Sequence, residues 1–163
     1  MRYFLLDKVT ELVPGERAAG VKCVTLTDEV LHDHFPDHPI LPGALIVEAA
    51  AQLGGLLVEA TLNPSPKDLG EDLPRRAVLA MIEKVKLHDA AGPGDRLTLQ
   101  VEFQGEIAGS AKVSFTVSAD ERKIARGALT FVLREVASLR VHEQRRQLYQ
   151  IWLRDLPDAP EVS

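Results

Sequence analysis

Ala44 to Glu59, ALIVEAAAQLGGLLVE, is apolar on nearly every face. In a water-soluble chain such a stretch has to be wrapped by other structure. Its residues are mostly strong helix formers, and the Gly54-Gly55 pair weakens the helix only locally. Glu48, Gln52 and Glu59 interrupt the apolar run, which falls short of the roughly 20 residues a bilayer requires. The reading that follows is a buried core helix with no membrane role. A carboxylate inside such a helix is costly unless it is paired, protonated or used. Glu48 is therefore singled out.

The segment feeding this helix is equally constrained. His34-Phe35-Pro36 opens a loop in which Pro36, Pro39 and Pro42 fall within seven residues. Proline fixes φ and disfavours helix at the residue before it, so the loop holds His34 in a stiff, non-helical turn. Upstream, Tyr3 to Leu12 reads as a strand or its lead-in, and Pro14-Gly15 as a turn. Ala18 to Leu26 alternates like a strand, with Cys23 as a buried thiol. Thr27 is a candidate N-cap for a helical turn through Leu31.

Downstream, Asn63 to Arg76 is dense in Pro, Gly and charge and reads as a surface loop. The period then changes. Ala77 to Leu87, Arg96 to Gln104, Ala111 to Ser118 and Ile124 to Leu133 have strand character and are separated by turn-rich segments. Strands joined in this way indicate an antiparallel meander. The fold class is α+β, a curved sheet around one long helix. Ser138 is a candidate cap for a last helix, Leu139 to Leu153, with Val141, Leu148 and Trp152 near one face and Arg145 and Arg146 near another. The pattern is that of an amphipathic helix packed on its own domain or on a subunit neighbour, the other reading being a docking helix for another protein.

At 163 residues the chain suits one domain with an appended element. A net charge of -5 argues against nucleic acid or an anionic membrane as partner. No secretory signal stands at the N-terminus. The single cysteine fits a reducing, cytoplasmic setting. His32, His34 and His38 with Asp33 and Asp37 invite a metal reading, but the intervening prolines make convergence hard, and no metal is expected. His88 and His142 read as surface residues.

Taken together, His34 and Glu48 carry chemistry that neither carries alone. Burial raises a carboxyl pKa, so Glu48 could act as a general acid, with a neutral imidazole as base. The N–H groups at the helix start, around Gly43 and Ala44, have no intrahelical acceptor and could hold an enolate oxygen. This set suits proton abstraction beside a carbonyl with loss of a β-substituent. Glu48 lies five residues past Gly43, about 140° round the helix. A site shared between two copies of the chain is at least as plausible as one within a single copy.

His34-Phe35-Pro36, Pro39 to Ala49 (PILPGALIVEA) and Gln52 resemble the signature of the FabZ-type β-hydroxyacyl-acyl-carrier-protein dehydratases of the FabA/FabZ hotdog family. Arg2 to Val9, Pro14-Gly15, Lys22, Val24-Thr25, Lys84 to Lys86 and Pro93 to Asp95 extend the likeness over residues 2 to 134. The resemblance implies a hotdog domain over residues 1–135 and a helical extension over 136–163. It also implies a homodimer, further assembly being possible, with two sites at the interface, His34 from one chain and Glu48 from the other. His34 would take the C2 proton of a 3-hydroxyacyl thioester and Glu48 would protonate the departing hydroxyl. Gly43 would hold the carbonyl, with Gln52, Pro42 and Phe35 in support. The product would be a trans-2-enoyl thioester of fatty-acid or related acyl-chain synthesis. No cofactor is implied, and the substrate would arrive on an acyl carrier protein.

Three features depart from the family pattern. Asp37 stands where the family usually has Gly, Leu87-His88-Asp89 replaces a more basic stretch, and the helix after Ser138 exceeds the usual length. Glu at position 48, rather than Asp, favours dehydration over coupled isomerisation. Two other readings stay open, a hotdog thioesterase and a non-catalytic acyl-binding subunit of a biosynthetic complex.

Overall fold

A computed structural model of the chain describes residues 3–65, 67–68 and 73–162. Arg2, where the resemblance begins, and residues 66 and 69–72 of the Asn63 to Arg76 loop lie outside the described residues. The chain runs β1 (Lys8–Val13), β2 (Arg17–Cys23), a 3-10 turn (Glu29–Leu31), α1 (Gly43–Leu62), β3 (Arg76–Leu87), β4 (Arg96–Ile107), β5 (Ser110–Ala119), β6 (Arg122–Arg134) and α2 (Leu139–Leu153). Asp28, not Thr27, precedes the 3-10 turn. Ser138 does precede α2, but its hydroxyl makes no capping bond.

The six strands form one antiparallel sheet in the order β1-β2-β4-β5-β6-β3. The expected meander is therefore correct for β4-β5-β6 and wrong for β3. α1 begins where Gly43 meets Leu87 and ends where Asn63 exchanges hydrogen bonds with Arg75. β3 then returns beside β6, with Ala77 opposite Leu133, and forms the far edge of the sheet. Residues 88–95 carry the chain past the ends of β6 and β5 to β4. Arg122 fastens this crossover through Asp89 at 2.9 Å, Asp95 at 2.6 Å and the Ala90 carbonyl at 3.1 Å. Chain order alone does not reveal such a crossover, because pairing is decided by where the helix delivers the chain.

α1 has the length and composition of a membrane span, yet it is the core helix of this sheet. Leu53, Leu56 and Leu57 are fully buried against Leu97, Leu99, Val113, Ile124 and Leu129. Each such leucine contributes about 1.5–3 kcal/mol by leaving water. Gly54 lets the helix approach β5 and β6 closely, since a Cβ there would stand 3.1 Å from Val113 and 3.2 Å from Phe131.

Cys23 is exposed, contrary to the sequence reading. On β2 the inward residues are Ala18, Gly20 and Lys22; Gly20 faces Leu53 of α1. Lys22 turns its ammonium back to the Cys23 carbonyl at 2.7 Å, with Asp7 and Asp28 nearby. An aliphatic stem lets a lysine occupy an inward position if its head finds oxygen.

The buried residues of α2 are His142, Leu148, Tyr149 and Trp152, whereas Val141 is 37% exposed. Val141 thus lies off the packed face, and His142 is not a surface residue. Trp152 donates its indole N–H to the Leu6 carbonyl at 2.7 Å, which seats α2 against the lead-in to β1.

Candidate active site

The loop holding His34 closes on itself. Phe35 and His38 exchange backbone hydrogen bonds at 3.1 and 3.0 Å, and the Ile40 N–H donates to the His34 carbonyl at 2.8 Å. The His34–Phe35 peptide is cis, and the two rings stack with centroids 4.2 Å apart. Asp37 turns the loop at φ 62°, the left-handed region, and is exposed. Leu41 N–H donates to the Ala91 carbonyl at 2.7 Å, anchoring the loop to the β3–β4 crossover.

His34 Nδ1 lies 2.9 Å from the Ile40 carbonyl oxygen. A carbonyl can only accept, so Nδ1 carries the proton and the neutral ring presents Nε2 as its basic nitrogen. Pro42 caps α1, its carbonyl accepting from Leu45 and Ile46. The Gly43 and Ala44 N–H groups precede the first of these bonds, so the helix does not use them. The side-chain position at Gly43 is taken by Leu87, whose Cδ1 would lie 2.3 Å from a Cβ there.

Glu48 is half-buried. Gln52, one turn on, donates through Nε2 to Glu48 Oε1 at 3.0 Å and to the Tyr3 carbonyl at 2.9 Å, and its Oε1 accepts the Leu5 N–H at 3.0 Å. The amide so placed fixes the Glu48 carboxyl and ties the N-terminal segment to α1. Glu48, Gln52 and Arg145 line a cavity of about 130 Å³ whose other walls include Ala51, Gly55, Leu79 and Phe131. His34 does not line this cavity and shares no hydrogen bond with Glu48 within one chain. Among the described residues no three His, Cys, Asp or Glu side chains converge as metal ligands, His32, His34 and His38 included.

The sequence reading missed a buried cluster near the other end of α1, at Glu59. Glu59 Oε2 accepts from Arg76 Nη1 and from the Tyr149 hydroxyl, both at 2.7 Å, while Oε1 accepts the Ala77 N–H at 2.9 Å. Arg76 also donates to His142 Nδ1, leaving Nε2–H of that ring to donate to the Val136 carbonyl at 2.6 Å. Burial, and then the Glu59 charge, push the Tyr149 phenol well above its ordinary pKa. Arg76, which the sequence places in a surface loop, is instead the buried first residue of β3. The signal that could have found this cluster is Glu59 itself, a second carboxylate in the same apolar helix.

The family description "FabA-like domain" matches residues 1–128. The chain belongs to the FabA-like family. Among its FabA-like relatives, a protein of Clostridioides difficile named 3-hydroxyacyl-[acyl-carrier-protein] dehydratase FabZ is 36% identical over 82% of this chain and 88% of its own length. One of the same name from Roseiflexus castenholzii is 38% identical over 80% and 86%. In three dimensions the chain resembles smu.793 of Streptococcus mutans, solved with acetyl CoA, at TM-score 0.62 and 16% identity over 83% of this chain and 96% of that one. It also resembles a chain of the dehydratase heterocomplex ApeI:P of Xenorhabdus doucetiae, at TM-score 0.56 and 20% identity over 75% and 92%. These neighbours establish the hotdog fold for this FabA-like chain. α2 lies beyond the matched residues.

Proposed function

We propose that the protein dehydrates 3-hydroxyacyl thioesters carried on an acyl carrier protein, giving trans-2-enoyl thioesters and water. The observation that carries this reading is the 2.9 Å contact between His34 Nδ1 and the Ile40 carbonyl, which calls for the proton on Nδ1 and leaves Nε2 as the base. His34 Nε2 takes a proton from C2, the C3–O bond breaks as Glu48 gives its proton to the hydroxyl, and the electron pair forms the C2–C3 double bond. The Gly43 N–H, unused by its helix, steadies the negative charge on the thioester oxygen. Gln52 holds Glu48, while Pro42 and Phe35 hold the loop. The reaction as written needs no cofactor.

The site is completed in a homodimer, His34 facing the partner's Glu48. Two observations support this. Glu48 and His34 do not meet within one chain, and β3 is an edge strand exposing Val78, Met81 and Ile82. An uncovered apolar edge of this kind is a template for pairing with a second copy. Residues 1–135 form the catalytic domain and 136–163 the extension, in a cytoplasmic protein of fatty-acid or related acyl-chain synthesis. Asp89, in the stretch where basic residues are missing, is occupied by Arg122 in pinning the crossover.

The test is incubation of the purified protein with a 3-hydroxyacyl thioester while following the absorbance of the conjugated enoyl product. Reversible formation is expected. His34→Ala and Glu48→Gln should each lower the rate by about 10²–10⁴-fold. Release of free thiol would mean hydrolysis, and no turnover across a panel of chain lengths would mean an acyl-binding subunit; either result replaces this reading.

A further inference from the structure

Arg145 is a half-buried guanidinium of α2 that has no counter-charge among the described residues, whereas Arg140, likewise unpaired, is exposed. Arg145 holds its Cζ 5.9 Å from the centre of the Tyr149 ring. Among the described residues it makes no hydrogen bond or ion pair. Its neighbours are otherwise engaged: Arg146 and Gln147 both hold Glu143, and the Tyr149 hydroxyl is committed to Glu59. A ring face steadies a cation but does not use the planar fork of N–H donors that guanidinium offers to a carboxylate.

This unused fork borders the cavity that also holds Glu48. The two groups are not within ion-pair distance, and Glu48 is held by Gln52 instead. Between them the walls are apolar, including Ala51, Gly55 and Phe131. An acid and a separate cation in one apolar cavity match a ligand with a hydroxyl at one end and an anion at the other. The volume, about 130 Å³, is slightly below the ~150 Å³ that admits a six-carbon ring. Only a few atoms fit between the two ends.

We propose that Arg145 receives a carboxylate at the far end of a short acyl chain, so that the preferred substrates are acid-ended 3-hydroxyacyl thioesters. This rests on the dehydratase reading of Glu48 and goes beyond it, because α2 lies outside the residues shared with the FabA-like family. The recognition is a planar, two-bond contact beside apolar walls, which a methyl-ended chain cannot make.

The experiment uses two pantetheine thioesters of equal length, both 3-hydroxy, one ending in methyl and one in carboxylate. The ratio of their kcat/KM values is compared in the full-length protein, Arg145→Gln and Arg145→Lys. The expected ratio favours the acid-ended substrate by about tenfold or more, falls to about one in Arg145→Gln and is partly kept in Arg145→Lys. Equal use of both by the unmodified protein overturns the proposal. So does an equal loss on both in Arg145→Gln, which would place the arginine's action on Glu48 or on the pantetheine arm. Turnover of neither substrate defeats the dehydratase reading, and calorimetric binding of the two thioesters then decides. Tighter binding of the acid-ended compound, lost in Arg145→Gln, sustains the carboxylate site; equal affinities in both proteins end it.

Discussion

Glu59 and Arg76 meet at 2.7 Å with only 1% and 3% of their surfaces accessible. Removing one partner leaves the other charged and without solvent, at a cost of about 3–5 kcal/mol. Glu59→Ala or Arg76→Met should therefore lower stability by that amount in urea denaturation. Glu59→Ala combined with Arg76→Met should cost less than the sum of the two single changes, since no orphan charge remains, although the Tyr149 hydroxyl and the Ala77 N–H still lose their acceptor. Strict additivity of the two single changes would contradict this.

Alkaline pH should find the same cluster. The Tyr149 phenol titrates above its ordinary value because of burial and then the Glu59 carboxylate. An unfolded phenol releases its proton near pH ~10, so the fold retains a proton that the unfolded chain gives up. The associated stability is fully present below that pH and is lost as pH rises above it. The urea midpoint is expected to fall between about pH 9.5 and 11, and to fall less in Tyr149→Phe. A slope unchanged by that substitution would refute the linkage.

Gln52 joins three partners, Glu48 Oε1, the Tyr3 carbonyl and the Leu5 N–H. Gln52→Leu should cost about 1–2 kcal/mol in stability. It should also lower kcat/KM by about tenfold, equivalent to about 1.4 kcal/mol at the transition state. Stopped-flow and denaturation measurements on the same variant check both effects. A loss of stability with unchanged turnover would mean that the amide serves the N-terminal segment alone.

Asp37 occupies a left-handed position at φ 62° in the His34 loop. A side chain there costs roughly 1–2 kcal/mol, whereas glycine costs roughly 0.5–1 kcal/mol through the unfolded chain. Asp37→Gly should therefore stabilise by at most about 1 kcal/mol. Destabilisation in thermal melts would show that the carboxylate has a partner in the assembled protein.

Most of what defines the catalytic reading lies in short-range chemistry and was legible. The proline-braced loop, the apolar helix starting at Gly43 and the one-turn spacing of Glu48 and Gln52 are all local features, and the structure carries each of them. What the sequence hid depends on distance along the chain. β3 pairs with β6 rather than β4, because α1 delivers it to the opposite edge. The face of Cys23 was misjudged because a one-residue change of phase in a short strand inverts its two sides. His142 and Arg76 look like surface residues until Arg76 is seen to join Glu59 and His142 across three elements.

The Trp152–Leu6 hydrogen bond sets a timetable as well as a contact. Leu6 leaves the ribosome 146 residues before Trp152, so the bond must wait for every strand that lies between them. Domains otherwise tend to assemble from the N-terminus as they are made. In this protein the wall bearing Arg145 is set in place only after all six strands have been made, and a chain released before α2 would lack that side of the cavity.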